Sequence, residues 1–252
     1  MMNINAIQRI AYRLLTPNET FDVRLFDYGG RMHADIRRQL LKNTIYIINR
    51  TVKGIKGLKV HDIFLTGSSS GYFYHEKSDI DIRIEVHNEN CPWISNETGD
   101  FNAFLNMLYK SSLNDFKFRI NRRFVDVKLN CNTFELMSLY SVLYDKWIIT
   151  PDRNITAGLD INDIMDEFDR RYTKACEFLQ NLKTSNVLKT LEGQQLLSEY
   201  YHSFFDNNNS SIREYIIYKL LTHSGILFQI KQLLSDTRKE YYSIIEKKEE
   251  AF

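Results

Sequence analysis

A chain of 252 residues, 43% of them hydrophobic, can bury one substantial core or two smaller ones and is expected to fold alone. With 26% charged residues and a formal net charge of +1, its composition fits neither a disordered tail nor a protein that coats nucleic acid indiscriminately. Three widely spaced cysteines without a CxxC pair, no apolar run near the roughly 18 residues that span a bilayer, and no export signal over Met1 to Leu15 argue for a reduced, cytoplasmic protein without membrane insertion.

In chain order, residues 1 to 30 predict a short helix and then a loop punctuated by Pro17, Asn18 and the Gly29-Gly30 pair. From His33 to about Lys53, Ile36, Leu40, Leu41, Ile45, Ile47 and Ile48 recur at helical spacing, and Gly54 and Gly57 end the helix. Residues 1 to 60 carry eleven Lys and Arg against four acids, an imbalance that reads either as a basic face attracting phosphates or as a solvated helix surface. Lys59 to Thr66 reads as a buried strand, and Ile80 to Val86 alternates with period two, as does Phe116 to Leu129 once divided near Asn121. Helical spacing predicts helices over Asp100 to Tyr109 and Thr133 to Tyr144. Beyond Pro151 the strand signals stop and helical stretches follow at Ile161 to Leu182, Val187 to Phe205, Ile212 to Thr222 and Ile226 to Ile245, with a polar loop at Asp206 to Ser211. The predicted class is α+β, a small mixed sheet with flanking helices over residues 1–150 followed by an all-helical domain over 151–252.

The chemistry is concentrated in Leu65-Thr66-Gly67-Ser68, then Ser78-Asp79-Ile80-Asp81-Ile82, then Val125-Asp126-Val127 on a later strand. Residues two apart on a strand share a face, so Asp79 and Asp81 project together while Ile80 and Ile82 bury on the other side. Asp126 is flanked by anchoring valines, and an adjacent strand would bring it to the same place. Three neighbouring carboxylates need cations, and oxygen-rich clusters suit Mg²⁺ or Mn²⁺, which serve phosphoryl chemistry on a nucleoside triphosphate. Gly67 permits close backbone approach, and Ser68, Ser69 and Ser70 offer hydroxyl and amide donors as a phosphate cradle. Lys128 shares a strand face with Asp126 and is the leading phosphate contact. Taken alone, the Asp79-Asp81 pair is no more than an alternating solvated strand face; the full set is what carries the reading.

Strand, Gly-Ser turn, spacer ending in Ser78, double-acid strand and later acid strand together resemble the DNA polymerase β-like nucleotidyltransferase superfamily, over roughly residues 33 to 150. A narrower resemblance, in Arg24-Leu25-Phe26-Asp27, Ile36 to Leu41, Asp62 to Ser68 and Tyr72 to Tyr74, is to poorly characterised nucleotidyltransferases of large tailed phages, which would place the protein in a host cytoplasm. The superfamily resemblance implies that Asp79 and Asp81 bind both metal ions, that Asp126 binds the catalytic one and orients or deprotonates the acceptor hydroxyl, and that Gly67 with Ser68, supported by Ser69 and Ser78, holds the NTP phosphates. Two departures stand out. Thr66 replaces a hydrophobic residue before Gly67, and Ser69, Ser70 and Gly71 stand where many members carry an arginine, so that either Lys77, Arg83, Arg122, Arg123 or Lys128 neutralises phosphate or the donor is held differently. The acceptor favoured by the basic N-terminal segment is an RNA or DNA end, bound with help from the helical domain. A small molecule, a protein side chain or a non-catalytic scaffold role are the alternatives, and oligomeric state is not legible. The aromatics Tyr200, Tyr201, Phe204, Phe205, Tyr215 and Tyr218 are read as core in preference to base-stacking residues.

Overall fold

A computed structural model of the chain describes residues 4–76, 78–91, 94, 97–113, 117–133, 137–184, 190–206 and 211–249. It is mixed α and β, with a six-stranded mixed sheet and seven α-helices among the described residues. Contacts divide the chain into two compact units, Pro17–Ile155 and a second made of Met1–Thr16 with Thr156–Phe252. None of the described helices is long and apolar enough to cross a membrane.

In the first unit, helix α2 (Ala34–Arg50) buries Ile36, Leu40, Thr44 and Ile47, the one-turn spacing that makes a single apolar stripe. Its first turn carries Asp35 and its last Arg50, each the sign the helix dipole favours at that end. Strands β1 (Leu58–Thr66), β2 (Ile80–Asn88), β3 (Phe118–Ile120), β4 (Arg123–Asn130), β5 (Leu139–Ser141) and β6 (Lys146–Ile149) form the sheet in the order β3-β4-β2-β1-β5-β6. The pair β2 and β4 is parallel, which demands a long crossover, and helix α3 (Thr98–Leu113) supplies it. Ile80, Ile82, Ile84 and Val86 of β2 are fully buried and share one core with Leu40, Ile47, Leu65, Phe101, Leu105 and Val127. β3 and β4 meet in a two-residue turn, Asn121 and Arg122, both with positive φ (49° and 65°), the backbone that matches strand twist in a tight hairpin.

The helix expected over Thr133 to Tyr144 is not formed at its described end, and residues 134–136 lie outside the described set. Leu139–Ser141 is strand β5, paired to β1 through Leu65 with Tyr140 and Phe64 with Ser141. Tyr140 is the reason: its ring packs edge-on against Phe26 and Trp147, and its hydroxyl donates to Asp145 at 2.6 Å while accepting from the Met32 N–H. Burial, and then the Asp145 bond, push its pKa up to about 12.

The second unit holds α1 (Ile4–Leu15), α4 (Ile161–Thr184), α5 (Leu191–Asp206), α6 (Ile212–His223) and α7 (Ile226–Glu249). Patterning alone assigns residues 1–150 to one domain, but α1 joins these helices, because Ile7 and Ala11, one turn apart, are buried with Ile164, Phe168, Ile217 and Leu220. Residues 187–189 and 207–210, the start of the helical stretch expected over Val187 to Phe205 and most of the expected polar loop, lie outside the described residues. Tyr200, Tyr201, Phe204, Tyr215 and Tyr218 pack against the helical core, as read from their spacing; the Phe205 side chain lies outside the described set.

On α4, Glu167 accepts hydrogen bonds from Arg170 and Arg171, and Arg171 reaches on to Glu214 of α6 at 2.7 Å. The Arg170 bond, aided by Arg171 and opposed by burial, lowers the Glu167 pKa from 4.5 to about 2. A folded-state pKa below the unfolded one contributes stability that is fully present above the unfolded value and is lost as pH falls through the folded one. Denaturant unfolding of the wild-type chain should therefore weaken more between pH 5 and pH 2 than that of Glu167→Gln. Equal losses in the two proteins would remove Glu167 as the acid-sensitive group.

Candidate active site

Asp79 immediately precedes β2 and Asp81 is its second residue, opposite in facing to the buried Ile80 and Ile82. Across the parallel pairing Asp81 stands level with Asp126 of β4, and Arg83 level with Lys128. Neighbouring strands are about 4.8 Å apart, so a carboxylate row lies beside a cation row on one face. Like charges directly opposite one another repel, and the two cations ease that repulsion. Arg83 Nη1 and Lys128 Nζ each lie 3.8 Å from Asp126 Oδ2, and Arg83 Nη2 lies 4.0 Å from Asp81 Oδ1. Lys128 thus sits on the Asp126 side of the strand, as its spacing predicts.

Gly67 closes the site from the β1 side. Its φ of +72° favours glycine, and a Cβ there would collide with Oδ2 of Asp81. The backbone of the Gly-Ser turn therefore leaves room that the Asp81 carboxylate fills. After it comes only a single 3-10 turn, Ser68–Ser70, in place of the helix start that would have aimed several amides at a phosphate. Ser68 is half-buried and its hydroxyl donates to Ser78 Oγ at 3.1 Å. Ser69 and Ser78 are buried: Ser69 Oγ donates to the Asp79 carbonyl at 2.5 Å, and Ser78 Oγ also accepts from the His75 N–H at 2.9 Å. Ser70 Oγ is 2.7 Å from Ser138 Oγ. The hydroxyls of Ser69 and Ser78, read from sequence as phosphate ligands, thus hold the turn to the start of β2, and Gly67 and Ser68 remain at its surface.

Arg123 needs the larger correction. The sequence offers it as one of the residues that could neutralise phosphate, whereas its side chain is only 6% exposed and paired with Asp22, which is fully buried, at 2.5 Å. Its Nε donates to the Ser78 carbonyl at 2.6 Å, and Nη2 donates to Ser69 Oγ and to the Asp79 carbonyl. Arg24 grips the same Asp22 through Nε and Nη2, at 2.7 and 2.8 Å, and donates to the Glu76 carbonyl. Burial would raise the Asp22 pKa, but the Arg24 hydrogen bond and the Arg123 charge outweigh it and hold it below the ordinary carboxylate value. The Asp22-centred network fixes the backbone on both sides of Ser78 and so positions Asp79. No local pattern announces it, because Asp22 and Arg123 are 101 residues apart.

Two cavities open beside Asp79. One of about 500 Å³ is lined by Asp79, Asp126, Lys110, Lys117, Phe124 and Lys128 among others; the other, about 440 Å³, includes Arg24, Arg122 and Phe124. Phe124, unremarked in the sequence pattern, is 46% exposed on the same strand face as Asp126, with the Arg119 guanidinium 3.9 Å from its ring centroid. Period-two alternation in β4 was the signal for it: Val125, Val127 and Leu129 face the core, so Phe124 must face out with Asp126 and Lys128. Lys77 lies outside the described residues.

Thr66 Oγ1 is buried and has no hydrogen-bond partner, at the β1 position that pairs with Asp81. An unsatisfied buried hydroxyl costs about 1–3 kcal/mol, so Thr66→Val should raise stability by about 1 kcal/mol in urea unfolding. A loss of that size would instead show that the hydroxyl is satisfied in solution.

As a donor set, three carboxylates on one face fit a hard divalent cation such as Mg²⁺ or Mn²⁺, and the clearance at Gly67 seats one of them. The three acids are not drawn as tightly together as the one described trio of potential ligands whose donor atoms all lie within 4.8 Å of one another, which is elsewhere on the sheet. Comparison of the chain with protein-family models, curated proteins and solved structures finds no match.

Proposed function

We propose that this protein is a metal-dependent nucleotidyltransferase of the polymerase β-like type, with Pro17–Ile155 as its catalytic unit, transferring a nucleoside monophosphate from an NTP to a hydroxyl at an RNA or DNA end and releasing pyrophosphate. The single observation that carries this reading is the level pairing of Asp81 with Asp126, with Asp79 lining the same cavity as Asp126 and Gly67 leaving room for the Asp81 carboxylate. Asp79, Asp81 and Asp126 would hold Mg²⁺ or Mn²⁺, which supplies charge neutralisation at the reacting phosphate and at the attacking and leaving oxygens.

The chain's own groups do the rest. Asp126, half-exposed beside the cavity, accepts the proton of the incoming hydroxyl. Lys110, Lys117 and Lys128 line the same cavity and neutralise phosphate, taking the part of the arginine missing after the Gly-Ser pair. Phe124 offers an exposed ring on which a base can stack, worth about 1–3 kcal/mol. A nucleic-acid acceptor is favoured by a further cavity of about 830 Å³ lined by Arg31, Arg37, Arg38 and Lys42, four of the eleven cations of the N-terminal sequence, against Asp27 and Asp145.

The test incubates the pure protein with each α-³²P-labelled NTP, Mg²⁺ or Mn²⁺, and separate pools of RNA, DNA, protein and small metabolites, beside an Asp79→Ala/Asp81→Ala control. Label entering RNA or DNA, with the control silent, is the expected result. Label entering another pool keeps the enzyme and changes its acceptor. No label in any pool, together with no metal-dependent NTP binding in calorimetry, would replace the enzyme with a scaffold.

A further inference from the structure

Four residues along β2 from Asp81, and so about 13 Å away, Glu85 is the centre of a different set of donors. His61 Nδ1 is 3.2 Å and His87 Nε2 is 3.0 Å from the same atom, Oε1 of Glu85. These three are the one trio of described His, Cys, Asp or Glu residues whose ligand atoms all lie within 4.8 Å of one another. We infer that His61, Glu85 and His87 form a second metal site, separate from the acid cluster, that takes a borderline transition cation of the Zn²⁺ type.

The backbone is arranged to bring them together. Glu85 and His87 are two apart on β2 and share a face. Val60 pairs with Val86 and Asp62 with Glu85, so His61 is the extra residue of a β-bulge. Such an insertion re-aims a side chain at the cost of one unpaired position, and here it sets a second β1 residue against Glu85 without displacing Asp62. The two imidazole rings lie side by side, 4.5 Å between centroids and 12° from parallel, both presenting nitrogen to one carboxylate oxygen.

The spacing suits a single ion. Bonds of about 2.0–2.2 Å from one cation to nitrogen and oxygen ligands place neighbouring donors roughly 2.9–3.5 Å apart, from octahedral to tetrahedral, and the separations of His61 Nδ1 and His87 Nε2 from Oε1 fall in that interval. The other oxygen of Glu85 accepts the Thr133 N–H at 3.0 Å, a partner that orients the carboxylate as outer hydrogen bonds do around metal ligands. Glu85 is 12% exposed while the His87 and His61 side chains are 43% and 59% exposed, so the remaining coordination positions face solvent and are open to water. Two imidazoles and one carboxylate favour Zn²⁺, Ni²⁺ or Cu²⁺, whereas Mg²⁺ prefers all-oxygen surroundings. The two sites would therefore be distinguished by ligand type as well as by place.

The experiment titrates ZnCl₂ by calorimetry into the full chain, with any affinity tag removed and Mg²⁺ in large excess, and records the visible spectrum on Co²⁺ substitution. One saturable equivalent per chain is expected, weakened about 100-fold or more by His87→Gln and by Glu85→Gln, with circular dichroism showing both variants folded. Asp79→Asn/Asp81→Asn should keep the Zn²⁺ equivalent. The inference is overturned by the absence of saturable Zn²⁺ binding under excess Mg²⁺, by unchanged affinity in both the His87 and Glu85 variants, or by loss of the equivalent in the Asp79/Asp81 variant. None of these outcomes depends on whether the protein transfers nucleotides.

Discussion

Asp81→Asn should lower the proposed nucleotidyl transfer by about 10³-fold, equivalent to roughly 4 kcal/mol of transition-state stabilisation, while leaving the fold intact. Of the three acids, Asp81 is the one the structure builds around: it is level with Asp126, it lies near Arg83, and its carboxylate occupies the space that Gly67 leaves. Asparagine keeps that shape and removes the charge, so a change in activity would report electrostatics and not a cavity. The ion pair with Arg83 adds little to stability, because at 4.0 Å a partly exposed pair gains less than about 1 kcal/mol. Gly67→Ala should produce a similar loss of activity by the opposite route, keeping the charge and displacing it, with an added cost of about 1–3 kcal/mol for an L-residue at φ +72° and ψ −164°. Transfer rates and metal-dependent NTP binding measured on both variants would decide the matter. If Asp81→Asn retains transfer, the acid row is not the reacting centre.

How far such a site can be read from sequence depends on the range of the forces that make it. β2 and β4 announce themselves because one face of each is core: Ile80, Ile82, Ile84 and Val86, then Val125, Val127 and Leu129, mark every second position, and the polar residues between them must share the other face. The parallel register that sets Asp81 beside Asp126 follows once α3 is seen as a crossover. Strand β5 was hidden because three residues carry too little periodicity, and its conformation is decided by β1 and by the Tyr140 ring among Phe26 and Trp147. Helix α1 has an apolar stripe that fits any core, and only the fold decides that Ile7 and Ala11 bury with the helices. The bulge at His61 is likewise silent, since an inserted residue leaves no mark on a strand already half-exposed at that end.

Arg123→Met should destabilise the Pro17–Ile155 unit by about 3 kcal/mol, because removing one partner of a buried ion pair leaves the other charge poorly compensated. Arg24 remains bonded to Asp22, which keeps the loss toward the lower end of that range. The variant also frees the Ser78 and Asp79 carbonyls and the Ser69 hydroxyl from their donor, so the backbone that carries Asp79 loosens. Arg123→Lys should recover little, since one ammonium cannot reproduce a planar fork that reaches a carboxylate, two carbonyls and a hydroxyl. The double variant Asp22→Asn/Arg123→Met should be less destabilised than the sum of the single ones, since the neutral amide no longer needs a cation, and a coupling of about 1–3 kcal/mol in that cycle would measure the pair. The same proteins separate a positioning role from the phosphate contact that spacing alone allowed. A positioning residue lowers unfolding free energy and transfer rate together, whereas a phosphate contact would leave denaturant unfolding unchanged and weaken NTP binding. The burial of Arg123 against Asp22 predicts the first pattern.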